Sequence, residues 1–325
     1  MRELSWAVRL LLVNQFGVNT GFYLLVPYLA GHLTKDLGLS VAVTGVVLGV
    51  RNLSQQGMFL VGGSAADRLG AQRLIIAGCA LRAVEFALFA FGVTVPLLLV
   101  DFRAAALTAA AIFAVLTIAQ ALVLPAREVP PSGASVLGDW RRCLADRRFL
   151  AFTLALSGMF ALQNQLYLVL PPAAEQATGT PSSVALLFLV STVATLLFQV
   201  RIIERLEAVT GRGRAMVLGL AVMGAGFLAP AVLPGLVPVL VAVLALAFGV
   251  MMAQPFVYER ISQFGGESLT GTYFGMFCLV SGVVAAASTA LTGWVGAAGA
   301  AVCGAVGLAC AAAVLGQERR TARPA

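Results

Sequence analysis

The chain has 325 residues, 60% of them hydrophobic and 11% charged, with a mean hydropathy of +0.95. A soluble domain carries about 25% charged residues, so this composition excludes an ordinary soluble enzyme or binding module. The formal net charge of +7 does not call for a nucleic-acid partner, because the bases gather in the connections between apolar runs, where membrane topology accounts for them.

Apolar runs of about 20 residues are read as membrane helices, since a helix rising 1.5 Å per residue needs that length to cross roughly 30 Å of hydrocarbon. The first run, 8–30, is too long for a signal-peptide core and lacks a small-residue cleavage site, so it is expected to be a retained span. Runs 41–62 and 74–97 follow, joined by Gly62-Gly63-Ser64-Ala65-Ala66-Asp67-Arg68-Leu69-Gly70-Ala71-Gln72-Arg73, which reads as a tight charged turn between two helices. A fourth run covers 103–125. Residues 126–148 are polar, contain Pro130, Pro131 and five arginines, and are expected to form a cytoplasmic linker. Six more runs then follow at 149–172, 182–203, 214–233, 236–258, 269–293 and 295–316.

The expected architecture is therefore an all-α polytopic membrane protein with about ten spans, four before the linker and six after it. Its domains are a shortened N-terminal bundle (1–125), the linker (126–148) and a C-terminal six-helix bundle (149–325). With the N-terminus inside, seventeen bases fall on the cytoplasmic side, and only Lys35 and Arg103 fall outside. That bias predicts both termini in the cytoplasm. The connection after the second run also has a weak echo: Asp67-Arg68-Leu69-Gly70 and Arg73 correspond to Glu204-Arg205-Leu206 followed by Gly211-Arg212-Gly213-Arg214. Related halves are a common plan for secondary transporters.

Charged groups inside spans are costly and mark functional sites or paired structures. Arg51, Arg82 and Glu85 are the candidates. Arg82 and Glu85 share a helix face, so they either neutralise one another or leave Glu85 as a proton-carrying carboxylate. Arg51 and Gln55 share another face and read as a polar cavity lining. Gln15, Asn19 and Tyr23 recur every four residues on the first span. Asn164 and Tyr167 with Phe160 form a stripe on the fifth, and Gln254 with Tyr258 lies on the eighth. Such stripes suit a pocket for amphipathic or aromatic compounds, or hold helices together by hydrogen bonds. His32, near a helix end, reads as structural or solvated. The five cysteines form no CxxC pair, and no nucleotide-binding, hydrolase or zinc pattern occurs, so neither an enzyme nor a cofactor is expected.

Gly63, Asp67, Arg68, Gly70 and Arg73 match the loop motif G-x-x-x-D-R-x-G-x-[RK]-[RK], with Gln72 replacing one base. On these residues the chain resembles the major facilitator superfamily. Arg51-Asn52-Leu53-Ser54-Gln55-Gln56-Gly57, Tyr167-Leu168-Val169-Leu170-Pro171 and Ala253-Gln254-Pro255 resemble segments of its bacterial multidrug:proton antiporter branch. The family normally has twelve helices in two sets of six. Thr94 to Val100 looks like the start of a fourth helix but passes directly into a segment resembling the sixth, so two helices of the first half are missing.

The resemblance implies proton-coupled efflux of hydrophobic or amphipathic small molecules by alternating access, with the proton as coupling ion. It implies a gate in which Asp67 meets a helix start in the other half, here near Ser268-Leu269-Thr270-Gly271, while Gly63 and Gly70 allow close approach and a tight turn. The expected setting is the bilayer of a bacterial inner membrane, as a monomer, with a small-molecule substrate and no nucleic acid. Alternatives are a shortened, non-transporting membrane paralogue or interaction partner, and a metabolite uptake permease.

Overall fold

The computed structural model describes residues 38–92, 102–123, 135–180, 182–266, 268–295 and 298–321. Every element among them is helical. In chain order these are α1 (Val41–Leu69), α2 (Ala71–Gly92), α3 (Phe102–Val123), α4 (Val136–Ala145), α5 (Arg147–Leu168), α6 (Leu170–Thr178), α7 (Ser182–Val209), α8 (Arg212–Val232), α9 (Leu236–Gly265), α10 (Thr270–Val295) and α11 (Gly299–Thr321). Six stretches of the described residues are long and apolar enough to cross a membrane: Arg147–Thr178, Ser182–Val209, Arg212–Val232, Leu236–Gly265, Thr270–Thr292 and Gly299–Arg319. The expected first span, 8–30, lies outside the described residues.

The chain divides into two compact units, one of Met1–Leu25 with Ser64–Gly133, the other of Val26–Gly63 with Ala134–Ala325. In the first unit, α2 packs along α3. The second contains the six spans, and its interior is apolar, built around side chains such as Phe149, Leu156, Met159, Phe227 and Phe277.

Small residues set the helix spacing in this second unit. A methyl added at Gly219 on α8 would sit 2.6 Å from the carbonyl oxygen of Gly249 on α9. One added at Gly224 would sit 2.8 Å from the backbone nitrogen of Leu308 on α11. Glycine at these contacts lets backbones approach where lipid offers no hydrophobic drive for association. Outward-facing Leu189, Leu196 and Val200 on α7 are exposed, as expected for a surface solvated by acyl chains.

The segment expected as a linker contains α4. Ser135 caps its start by accepting from the Gly138 N–H at 3.1 Å, and Cys143 and Asp139 are buried beneath it. Asp146 then serves as C-cap of α4 and N-cap of α5, its Oδ1 accepting from the N–H groups of Arg148 and Phe149 at 3.0 Å each. Acidic and hydroxyl caps satisfy N–H groups that a helix start leaves unpaired. Phe149 is thereby set against Tyr273 (ring centroids 4.8 Å) and Phe264 (5.6 Å), tying the ends of α5, α9 and α10 together.

Several helices outrun their apolar runs. α7 continues to Val209 and α9 to Gly265, so Glu204, Arg205, Glu259 and Arg260 ride on helix ends rather than in loops. α9 has 30 residues, about 45 Å of helix against roughly 30 Å of hydrocarbon.

Candidate functional site

The charged connection expected as a turn from Gly62 to Arg73 is mostly helix. α1 continues to Leu69, and α2 begins at Ala71. Gly70 alone breaks the helix, with φ at +88°, a conformation glycine adopts without steric cost. The run Ala65-Ala66-Asp67-Arg68-Leu69 has no residue that ends a helix, and the Gly70 N–H closes the last turn on the Ala66 carbonyl at 3.0 Å. Arg68 lies in that last turn, where its charge suits the negative helix end. Asp67 lies in the last turn of α1, on the unfavourable side of its own helix dipole. Asp67 and Arg68 are half-buried, and Arg73 is exposed.

One turn before Asp67, α1 meets α10 backbone to backbone. A methyl at Gly63 would overlap the Gly271 carbonyl; one at Gly275 would lie 2.5 Å from Leu60 Cα, and one at Gly282 would lie 2.5 Å from Gln56 Cβ. The residue numbers run in opposite directions, so the pair is antiparallel. Gly63 and the α10 start near Gly271 are thus neighbours.

The weak echo of this connection has the same local form. α7 ends at Val209, Gly211 has φ +76°, and α8 begins at Arg212. Arg212 bridges its neighbours, with Nη1 2.7 Å from Glu259 Oε1 and Nη2 3.6 Å from Glu207 Oε1.

Within the C-terminal spans the polar side chains form three groups. Asn164 and Tyr167 share one side of α5: Asn164 Nδ2 donates to the Phe160 carbonyl at 2.8 Å, and Tyr167 stacks on Phe188 of α7 with centroids 5.6 Å apart. On α9, Gln254 Nε2 donates to Tyr258 Oη at 2.7 Å, and the Tyr258 ring meets Phe274 edge-on at 5.1 Å.

The third group was not among the sequence candidates. Gln165, fully buried, donates from Nε2 to Ser288 Oγ at 3.2 Å and accepts from Thr292 Oγ1 at 3.1 Å. It belongs to the stripe Thr153, Ser157, Ala161 and Gln165, small or polar every four residues. That spacing was the available signal, overshadowed by the aromatic stripe beside it.

Gln55 is exposed on α1. Arg51 lies on α1, and Arg82 and Glu85 lie on α2, but their side chains are outside what the structure describes. Gln15, Asn19 and Tyr23 fall outside the described residues.

No protein-family model matches the chain. It is 33% identical over 344 residues to the uncharacterized MFS-type transporter Rv0849 of Mycobacterium tuberculosis, with 85% of this chain and 82% of that protein covered. The chain belongs to the major facilitator superfamily of transporters. It is also 24% identical over 322 residues to the multidrug resistance protein MdtH of Proteus mirabilis, covering 82% of this chain and 80% of MdtH. Among solved structures, the human organic anion transporter MFSD10 (TETRAN) matches with a TM-score of 0.64 at 15% identity, over 95% of this chain and 94% of that one. The fucose:proton symporter FucP of E. coli matches with 0.52 at 15% identity, over 92% and 88%. At such identity these two show the fold alone. This superfamily member is thus a transporter rather than an enzyme, a multi-pass protein of the inner membrane.

The match to the mycobacterial relative is longer than the whole of this 325-residue chain, although only 85% of the chain takes part. That relative therefore carries residues inside the matched region that have no counterpart here.

Proposed function

We propose that this transporter exports hydrophobic or amphipathic small molecules in exchange for protons, by alternating access. The observation that carries the reading is the match to MdtH proteins along most of the chain, since those relatives bear the name multidrug resistance protein. The chemistry of the spans agrees with it. Among the described residues of α5 to α11, the acids Glu175, Glu204, Glu207, Glu259 and Glu318 sit toward helix ends. The middle of those spans offers amides, hydroxyls and aromatic faces, which suit uncharged or amphipathic ligands. Proton carriage then falls to Glu85 of α2, with Arg82 beside it in sequence and Arg51 and Gln55 on α1 as the polar lining. Asn19, Tyr23, Asn164, Tyr167 and Gln254 supply ligand contacts. Asp67 acts as the gate, with Gly63, Arg68, Gly70 and Arg73 shaping and charging its connection. The protein works as a monomer in the bilayer, with both termini in the cytoplasm and no bound cofactor.

Reconstituted vesicles test this. Purified protein in proteoliposomes with an imposed proton gradient should move ethidium or rhodamine 6G, and each dye should drive proton movement in return. Folded protein that moves neither dye nor protons sinks the export reading. That outcome would favour a second reading, a shortened paralogue that inserts without transporting, for which the internal stretch present in the mycobacterial relative and absent here is the supporting observation.

A further inference from the structure

We infer that α4 is an interfacial helix that binds anionic phospholipid. Its Leu137, Trp140 and Leu144 edge enters the acyl region, and Arg141 and Arg142 hold headgroup phosphates.

The position of α4 comes first. It ends at Ala145, and Asp146 alone separates it from α5, whose span starts at Arg147. It also packs on α10, whose span starts at Thr270. Two span ends thus place α4 at the level where the hydrocarbon stops. Asp146, capping α4 and α5 at once, fixes the bend between them.

The sides of α4 divide by chemistry. Asp139 and Cys143, four residues apart, are buried. Leu137, Trp140 and Leu144, three and four apart, make an apolar edge. Trp140 is half-buried against the core, but Leu137 is 65% exposed and Leu144 51% exposed. Arg141 and Arg142 lie on the adjoining side and are exposed, as are Arg147 and Arg148 at the start of α5. Between Ser135 and Arg148, these four guanidinium groups stand against two acids. One is the buried Asp139; the other is Asp146, whose Oδ1 accepts from two backbone N–H groups.

This combination selects the occupant. An amphipathic helix with arginines beside its apolar side lies in the membrane interface, and basic clusters at a span end recruit anionic lipid. Tryptophan favours the same depth. A topology signal needs only positive charge near a span, in any backbone form. It does not need a helix, capped by Ser135, that keeps two leucines exposed beside its bases. An anionic leaflet supplies the matching charge and an apolar layer together. Lipid thus holds α4, and α4 in turn braces the starts of α5 and α10, against which it packs.

Trp140 reports the contact. With Trp6→Phe and Trp294→Phe, it is the one tryptophan left of the three in the chain. In nanodiscs, brominated phosphatidylglycerol should quench Trp140 at least about twofold more than brominated phosphatidylcholine at the same mole fraction. A base beside an anionic surface is worth about fivefold in lipid partitioning. Arg141→Gln with Arg142→Gln should therefore bring the two lipids level, and Leu137→Ser with Leu144→Ser should weaken quenching by both. Equal quenching of the protein with intact α4 would overturn anionic recognition. No quenching by either lipid would overturn the interfacial placement and give this surface to a protein partner or a second copy of the chain. A phosphatidylglycerol preference that survives the loss of both arginines would overturn their role. The comparison of lipids uses an unaltered α4 and both leaflets of the disc, so neither a misfolded variant nor a failure to transport changes what it reads.

Discussion

Thr292 donates its hydroxyl to Gln165 Oε1 at 3.1 Å, joining α10 to α5 through two fully or nearly fully buried side chains. Thr292 also reaches the Ser288 carbonyl at 2.9 Å within its own helix, so it keeps a partner when Gln165 is removed. Interhelical hydrogen bonds in membranes average about 0.6 kcal/mol and reach about 1.7 kcal/mol. Gln165→Leu is therefore expected to destabilise the protein by about 0.5–2 kcal/mol, without preventing insertion. Thermal unfolding in detergent checks this, and a collapse of the folded yield would show that the network does more than join two helices.

Gly63 and Gly78 should respond in opposite directions. Gly63→Val would drive its side chain into the Gly271 backbone, while a methyl at Gly78 meets nothing within 4 Å. Overpacking of this kind costs about 1–3 kcal/mol, whereas Gly to Ala in a helix interior gains about 0.5–1 kcal/mol. The pair of melting temperatures, one lowered and one raised, is the readout. Equal shifts would mean that the close approach of α1 to α10 is not maintained in solution.

A similar contrast separates Gly213 from Gly219. A methyl at Gly213 meets the Glu318 carboxylate, the far end of a flexible side chain. One at Gly219 meets the Gly249 carbonyl oxygen at 2.6 Å and Ala253 Cβ at 2.8 Å. Gly213→Ala is expected to stay within about 0.5 kcal/mol of the parent, as surface changes usually do. Gly219→Ala is expected to lose about 1–3 kcal/mol by overpacking the α8–α9 contact. Chemical unfolding of both variants in the same detergent gives the ranking.

Asp67→Asn tests the gate. The substitution keeps the size but removes the charge and turns one accepting oxygen into a donating NH2. Transport should fall about tenfold, within the range of coupling energies that link conformational states, while membrane insertion and melting temperature stay near the parent. Unchanged dye flux in vesicles would remove Asp67 from the gate.

Much of this fold is visible in residue order alone. The six C-terminal spans stand out because each is a continuous apolar run, and their observed starts lie within a few residues of the runs. Their ends were harder to place. Charged residues such as Glu204, Arg205 and Glu259 look like loop residues, yet they are good helix formers, and α7 and α9 continue through them. The same reasoning explains Asp67 and Arg68, which charge alone made into a turn although only Gly70 leaves the helix. Gly63 could be singled out from its motif, but its partner could not: nothing local to Gly271 or Gly275 says which helix lies against them. Gln165 escaped notice because a lone amide in an apolar run has no visible partner until Ser288 and Thr292 are brought beside it.

Gly63 and Gly271 are separated by most of the chain, and this sets a schedule for biogenesis. At about 5–20 residues per second of synthesis, α1 reaches the membrane on the order of ten to forty seconds before α10 exists. During that interval the flank of α1 that carries Gln56, Leu60 and Gly63 lacks its α10 partner. Nascent chains arrested just before Thr270 should therefore hold α1 less firmly in the membrane than chains arrested after Val295.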